Sequence, residues 1–375
     1  MQTQTKLCIN LRESIVEPVR LKHWLDAGAD AVMMTYSDKQ IDQWQLMSAT
    51  VREFETDAGR PIAFILDLPS GKMAEQLAAQ QDSPAVEMIA VSASSGGGGI
   101  MGLRELFAGS RQNGARDIDI IAKLDSASCF ENIEGITAAA DAVMITLEGL
   151  RSLPPSDSPI AQKTVSRHCQ TAAKPCLVER DSLQHLAVAP RDAQADVFDL
   201  ANIVFDHADG VVLAADTFAE QEVLQPLSTA QDILIAAEAY LEVTDRPVRV
   251  GFGQPPNTAA LAYSIRHLLK MQEIAAVAVY SISGTTARVI SKNWIDTPIL
   301  AFTSHAATAR RMALLHGVIS RHVDAPLDTP ELLRKAGDLA KDLGIAASGE
   351  RIIVVSGYPD QSQDQANGFV VETVR

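Results

Sequence analysis

Short apolar runs alternate with longer stretches of helical period from the start of the chain. The runs Leu7–Asn10, Ala31–Thr35, Ala63–Leu68, Met88–Ser92, Ile118–Leu124, Ala142–Thr146, Cys176–Val178 and Gly210–Leu213 predict strands. The segments between them predict helices, for example Glu17–Ala27, whose Pro18 suits a first turn, and Gln40–Ala58. Eight strands alternating with helices within residues 1–240 match a (β/α)8 TIM barrel in count and length. A doubly wound sheet would hold the same elements. However, no G-x-G-x-x-G follows the first strand, where a nucleotide-binding version places it.

Pro247, Gly251, Gly253, Pro255 and Pro256 crowd the stretch from Tyr240 to Asn257 and predict a linker, taken as residues 241–256. A smaller α/β domain is expected over 257–375. Its helices are Thr258–Met271, Thr286–Asn293, Ala306–His316 and Thr329–Leu343; its strands are Ala276–Ser281, Ile299–Phe302, Ile352–Val355 and Phe369–Val374.

Composition narrows the class. With 32 Lys+Arg against 47 Asp+Glu the net charge is −15, which gives no field for a phosphate backbone and excludes nucleic acid as an expected partner. The sequence offers neither an apolar signal core nor a run long enough to span a bilayer, and so predicts no membrane partner. Cys8, Cys129, Cys169 and Cys176 lack metal-like spacing and read as reduced thiols in a cytoplasmic protein.

In a TIM barrel the chemistry sits at the C-terminal ends of the strands. Here those ends carry Asn10, Thr35, Ser37 and Asp38 early on, Asp67, and Ser92 to Ser95 with four glycines. Lys123 and Asp125, Thr146 and Glu148, Glu179 to Asp181, and Asp216 with Thr217 follow. One Lys among carboxylates fits a divalent cation and an oxyanion together. Loop-tip Asp and Ser are also ordinary turn and cap residues, so position alone leaves both readings open. Lys123 and Asp125 fall on one side of their strand, since side chains repeat every ~2 residues. His168, His185 and His207 have no partner spacing and read as surface or satisfied core histidines.

IIAKLDSASCFENIEGITAAADAVMI resembles the pyruvate kinase segment that carries a catalytic Lys and a metal-binding carboxylate. TKLCINLRESIVEPVRLKHWLDAGADAVMMTYSD resembles that family's first two βα units, and ANIVFDHADGVVLAADT its seventh helix and eighth strand. SISGTTARVISKN and TPILAFTSHAATARRMALLHGV resemble its C-terminal domain. The resemblance runs in order along most of the chain. It lacks one part, the small β-barrel lid that the family inserts after the third strand.

The resemblance implies roles residue by residue. Lys123 takes the place of the Lys that stabilises the transferring phosphoryl group. Asp125 takes the place of a metal-binding Glu, and Asp67 that of a carboxylate beside a monovalent cation, with Ser37 nearby. Mg2+ is thus the implied divalent cofactor, held by Asp125, Glu148 and Asp67, while K+ is poorly supported. Met33, Thr35, Asp38 and Leu68 replace the family's Arg, Asn, His and Thr at that cation site. The second metal-binding Asp falls on Gly149, one position from Glu148. The Thr assisting enolate protonation falls on Arg180, and a later Arg on Gln194.

Two loops are candidates for anion binding. Ser94–Gly99 offers backbone N–H groups but no following Lys, and reads as a flexible loop. In the second loop, Ser281, Ser283, Gly284, Thr285 and Thr286 follow a strand and open a helix, where the resemblance implies a sugar-phosphate effector site; plain helix capping is the competing reading. The leading functional expectation is a lidless pyruvate-kinase-like protein with lost or reduced phosphotransfer, which binds a phosphorylated or 2-oxo-acid metabolite or regulates as a homo-oligomer. The alternatives are a metal-dependent lyase acting on a 2-oxo acid or enolate, and a slow but genuine kinase.

Overall fold

The structure, a computed structural model, describes residues 3–12, 16–37, 41–79, 86–109, 118–180, 193–214, 224–244, 256–324, 328–356, 366 and 368–374. Eight parallel strands close into a barrel in sequence order: β1 Lys6–Asn10, β2 Ala31–Thr35, β3 Ala63–Leu68, β4 Met88–Ser92, β5 Asp119–Leu124, β6 Ala142–Ile145, β7 Cys176–Arg180 and β8 Gly210–Ala214. Around them run α1 Pro18–Asp26, α2 Ile41–Ala58, α3 Gly71–Ala79, α4 Gly96–Gly109 and α5 Ala127–Glu131. These are followed by α6 Ile133–Ala139, α7 Leu147–Arg151, α8 Ser158–Thr171, α9 Gln194–Phe205 and α10 Leu224–Thr244. The expected TIM barrel is therefore present.

Strand alternation explains its packing. Leu7, Ile9, Val32, Phe64 and Leu66 face the helical ring. Their neighbours Cys8, Ala31, Met33, Ala63 and Ile65 fill the barrel interior. Parallel strands buried on both faces read as unbroken apolar runs, which is why the sequence locates them so closely. The four-glycine run is not a loose loop: α4 begins at Gly96. A Cβ at Gly97 would stand 2.4 Å from the Gly135 carbonyl oxygen, so glycine lets α4 lie directly against α6.

The second unit is a five-stranded sheet of order β11-β10-β9-β12-β13, built from β9 Ala276–Tyr280, β10 Ile299–Thr303, β11 Val318–His322, β12 Arg351–Ser356 and an antiparallel β13 Gly368–Thr373. Its helices are α11 Pro256–Leu269, α12 Thr285–Ser291, α13 Ala306–Met312 and α14 Thr329–Asp342. The sequence reading missed β11, an edge strand whose Arg321 and His322 break the apolar run. The linker expected over 241–256 is helical at both ends, since α10 reaches Thr244 and α11 starts at Pro256. Residues 245–255 lie outside those described.

This sheet domain docks on the barrel floor, at the N-terminal ends of the strands. Leu314 joins the cluster of side chains that fills the barrel interior. Lys292 and Asp209 form an ion pair in which neither side chain is exposed, and Asp209 also accepts from the Cys176 N–H at 2.7 Å. Arg310 bonds both Glu55 and Glu87, while Arg52 holds Glu87 from the barrel side at 2.8 Å. Arg311 reaches Asp119 at 3.3 Å, and Lys6 donates to the Val318 carbonyl at 2.9 Å. Trp294 stacks on His316 at 3.7 Å and meets the ring of His207 edge-on at 4.6 Å. His207 is thus an interface residue. Burial, reinforced by the charges of Lys6 and Lys292, pushes the His316 pKa well down and keeps that imidazole neutral.

Candidate active site

At the opposite end the strands open into a cavity of about 700 Å3. Asn10 and Arg12 enter from β1, Met33 and Thr35 from β2, and Asp67 from β3. Lys123 and Asp125 enter from β5, Thr146, Glu148 and Arg151 from β6 and α7, and Glu179 from β7. Lys123, Asp125, Asp67 and Glu148 therefore share one cavity, as the sequence reading expected. Asp38, Asp181, Asp216 and Thr217 lie outside the described residues.

The Lys123 ammonium bonds Asp67 past the intervening β4, and both side chains are partly buried. Asp125 is held by neutral donors, the Ser92 hydroxyl at 3.0 Å and the Cys129 thiol at 3.7 Å. Neither of these contacts is a salt bridge, and Asp125 lines the cavity. Glu179 accepts from the Leu147 N–H at 3.2 Å. Among the described residues no group of three or more His, Cys, Asp or Glu side chains is arranged to hold a metal ion. The hard oxygens of Asp125 and Glu148 are nonetheless the donor type Mg2+ takes, since it binds through one or two carboxylates and fills its shell with water and substrate oxygens.

Gly149 is fixed by its surroundings. Its N–H donates to the Thr146 hydroxyl at 3.0 Å, which caps α7. A Cβ there would lie 1.9 Å from the Leu124 carbonyl oxygen, so this backbone admits no Asp at 149. Glu148, one residue earlier, is the side chain that reaches the cavity.

Alternation along β7 separates Glu179 from Arg180. Glu179 faces the mouth, whereas Arg180 turns outward to Gln162 at 2.7 Å and Asp199 at 3.5 Å. Burial lowers the Arg180 pKa, and Asp199 opposes that shift. The sequence reading missed Arg12 and Arg151 as mouth residues. Arg12 follows the β1 end by two positions, and Arg151 follows Glu148 by three on a helix, the spacing that puts two side chains on one face.

In the second unit, Gly284 adopts φ +82, a left-handed turn, and its Cβ position is crowded by Met312 and Thr308. Two of the four hydroxyls are engaged with each other, Ser283 donating to Thr285 at 2.9 Å. Thr286 is buried, as is Ser281, whose hydroxyl has no hydrogen-bond partner among the described residues. The loop from 357 to 365 lies outside them.

Comparison with known proteins agrees with this architecture. Residues 72–223 match the pyruvate kinase barrel domain, and residues 259–372 match the pyruvate kinase alpha/beta domain. The chain belongs to the pyruvate kinase family. The pyruvate kinase of Geobacillus stearothermophilus is 30% identical over 291 residues, covering 77% of this chain and 49% of the relative. That of Agrobacterium vitis is 31% identical over 260 residues, covering 67% and 54% respectively. The chain thus spans about half the length of the pyruvate kinases it matches. Part of the difference is internal: only residues 69–87 join β3 to β4, too short a connection for a domain. This is a pyruvate kinase family member without the inserted lid. No helix among the described residues is long and apolar enough to cross a membrane.

Proposed function

We propose that the barrel mouth binds a small 2-oxo acid or its enol phosphate together with Mg2+, and that phosphoryl transfer to ADP is lost or strongly reduced. The observation that carries this reading is the joint placement of Lys123, Asp125 and Glu148 in one cavity under a lidless β3–β4 connection. Asp125 and Glu148 would hold the metal, which when bound would neutralise charge on the substrate oxygens. Lys123, steadied by Asp67, presents its ammonium where negative charge builds on an enolate or phosphoryl oxygen. Thr146 and Gly149 fix the turn that carries Glu148. Asp67, the carboxylate the resemblance offers to K+, already has a positive charge on it from Lys123, so K+ takes no part in the proposal. The division into a barrel over 1–240 and a second domain over 257–375 belongs to the same proposal. So does effector binding by loop 281–286, supported by the buried Ser281 hydroxyl, which has no hydrogen-bond partner among the described residues.

Calorimetry with oxalate and phosphoenolpyruvate, with and without Mg2+, tests the site. Binding should require Mg2+ and disappear in Lys123→Ala and in the double variant Asp125→Asn, Glu148→Gln. Turnover of phosphoenolpyruvate with ADP should fall far below the usual kinase range of ~1–100 s⁻¹; a rate inside that range overturns the proposed loss. A second reading, enolate chemistry on a 2-oxo acid without a nucleotide, is favoured by the same lidless mouth with its retained Lys123. Loss of the pyruvate methyl proton signal in D2O, dependent on Lys123, would select it.

A further inference from the structure

Arg12 stands in a backbone conformation that L-residues avoid, with φ +49. Such a conformation persists only where the surroundings impose it, and at Arg12 they do so from both sides. Its N–H donates to the side chain of Asn10 at 2.9 Å, and its carbonyl accepts from the Thr35 N–H at 3.2 Å. Leu11, wholly buried, donates to the Met33 carbonyl at 2.8 Å and continues the β1–β2 pairing past the strand end. The result is a cation held at the rim of the cavity beside the end of β2, whose own mouth residues, Met33 and Thr35, carry no charge.

The charges of the cavity give this placement a purpose. Lys123 stands on β5 and Arg151 on α7, on other walls of the cavity. Arg12 lines the β1–β2 wall, where it would meet the far end of an anionic ligand spanning the mouth. We propose that Arg12 is the anchor for the oxyanion terminus of the ligand, a carboxylate or a phosphate, gripped by its planar fork of N–H donors. This rests on the barrel-mouth reading above. The strained turn is then kept for binding rather than for stability.

Arg12→Gly separates the two, because glycine accepts φ +49 without strain and removes the side chain. Calorimetry with Mg2+ plus oxalate, phosphoenolpyruvate or inorganic phosphate, alongside thermal melting, is run on wild type, Arg12→Gly, Arg12→Lys and Lys123→Ala. Arg12→Gly should melt at or above the wild-type temperature yet lose about tenfold or more in affinity, as for a lost charge-assisted bond. Arg12→Lys should recover only part, since an ammonium cannot fork. A loss confined to oxalate identifies the gripped group as carboxylate, and one confined to inorganic phosphate identifies it as phosphate. If Arg12→Gly binds within twofold of wild type while Lys123→Ala does not bind, the anchor is overturned and the barrel-mouth reading stands. If wild type binds none of the probes, that reading falls and takes the anchor with it.

Discussion

The two ends of the same eight strands are both rich in charge, and they treat it in opposite ways. At the floor, Asp209, Glu87 and Asp119 each meet a basic residue of the second domain: Lys292, Arg310 and Arg311. Lys292, Asp209 and Glu87 are buried, Arg311 and Asp119 are partly so, and Leu314 seals the centre. At the mouth, Asp125 accepts from a hydroxyl and a thiol among the described residues, and Arg12 is held in a strained turn beside an open cavity. Charges at the floor are paired across the contact between the two domains. Charges at the mouth are left facing a space that a ligand can fill. In a TIM barrel, fixed groups at the N-terminal face serve stability and those at the C-terminal face serve chemistry, and here both kinds occur within one molecule.

The largest expected effect tests the floor. Lys292→Ala leaves Asp209 buried without its counter-charge and should cost about 3–5 kcal/mol in chemical denaturation. A loss below ~1 kcal/mol would mean the floor pairs are as dispensable as surface ones.

Gly149→Asp, which puts a carboxylate where the resemblance implies a metal-binding Asp, comes next. The Cβ clash with the Leu124 carbonyl should destabilise the chain by about 1–3 kcal/mol without raising Mg2+ affinity. Tighter metal binding in this variant would show that the β6–α7 turn can rebuild itself as the family has it.

A pH titration sharpens the floor further. Burial, reinforced by Asp141, raises the Asp119 pKa from 3.8 to about 6, with Arg311 opposing. The folded state therefore binds a proton more tightly than the unfolded chain. Stability from this group is fully present below about pH 4 and is lost as pH rises towards 6. Asp119→Asn should accordingly be more stable than wild type at pH 7, by on the order of 1–2 kcal/mol given partial solvent screening. The gap should close by pH 4 in urea melts. A variant less stable than wild type at pH 7 would make the Arg311 contact the dominant influence.

The smallest effect belongs to the mouth. Glu148→Gln should change stability by no more than about 0.5 kcal/mol, while weakening Mg2+ binding measured by calorimetry. A large destabilisation would erase the contrast between the two ends.

Much of the fold could be read from the chain alone. Strands buried on both faces produce continuous apolar runs, and β2, β3 and β4 fall where those runs fall. Lys123 and Asp125 were legible because residues two apart in a strand share a side. Other features were not, because their causes lie far off in sequence. Nothing near Gly96–Gly99 announces a helix, since the reason for those glycines is the Gly135 carbonyl of α6. Arg12 and Arg151 carry no local motif. Arg12 is placed by hydrogen bonds to Asn10 and Thr35, and Arg151 by the short turn of α7. The sequence by itself determined the barrel, the short β3–β4 connection and the side that Lys123 and Asp125 share, because periodicity and chain length act locally. Only the tertiary structure decided which charges meet one another. An ion pair such as Lys292–Asp209 or Lys123–Asp67 exists only once distant strands and domains are brought to within bonding distance, and no local pattern encodes that meeting.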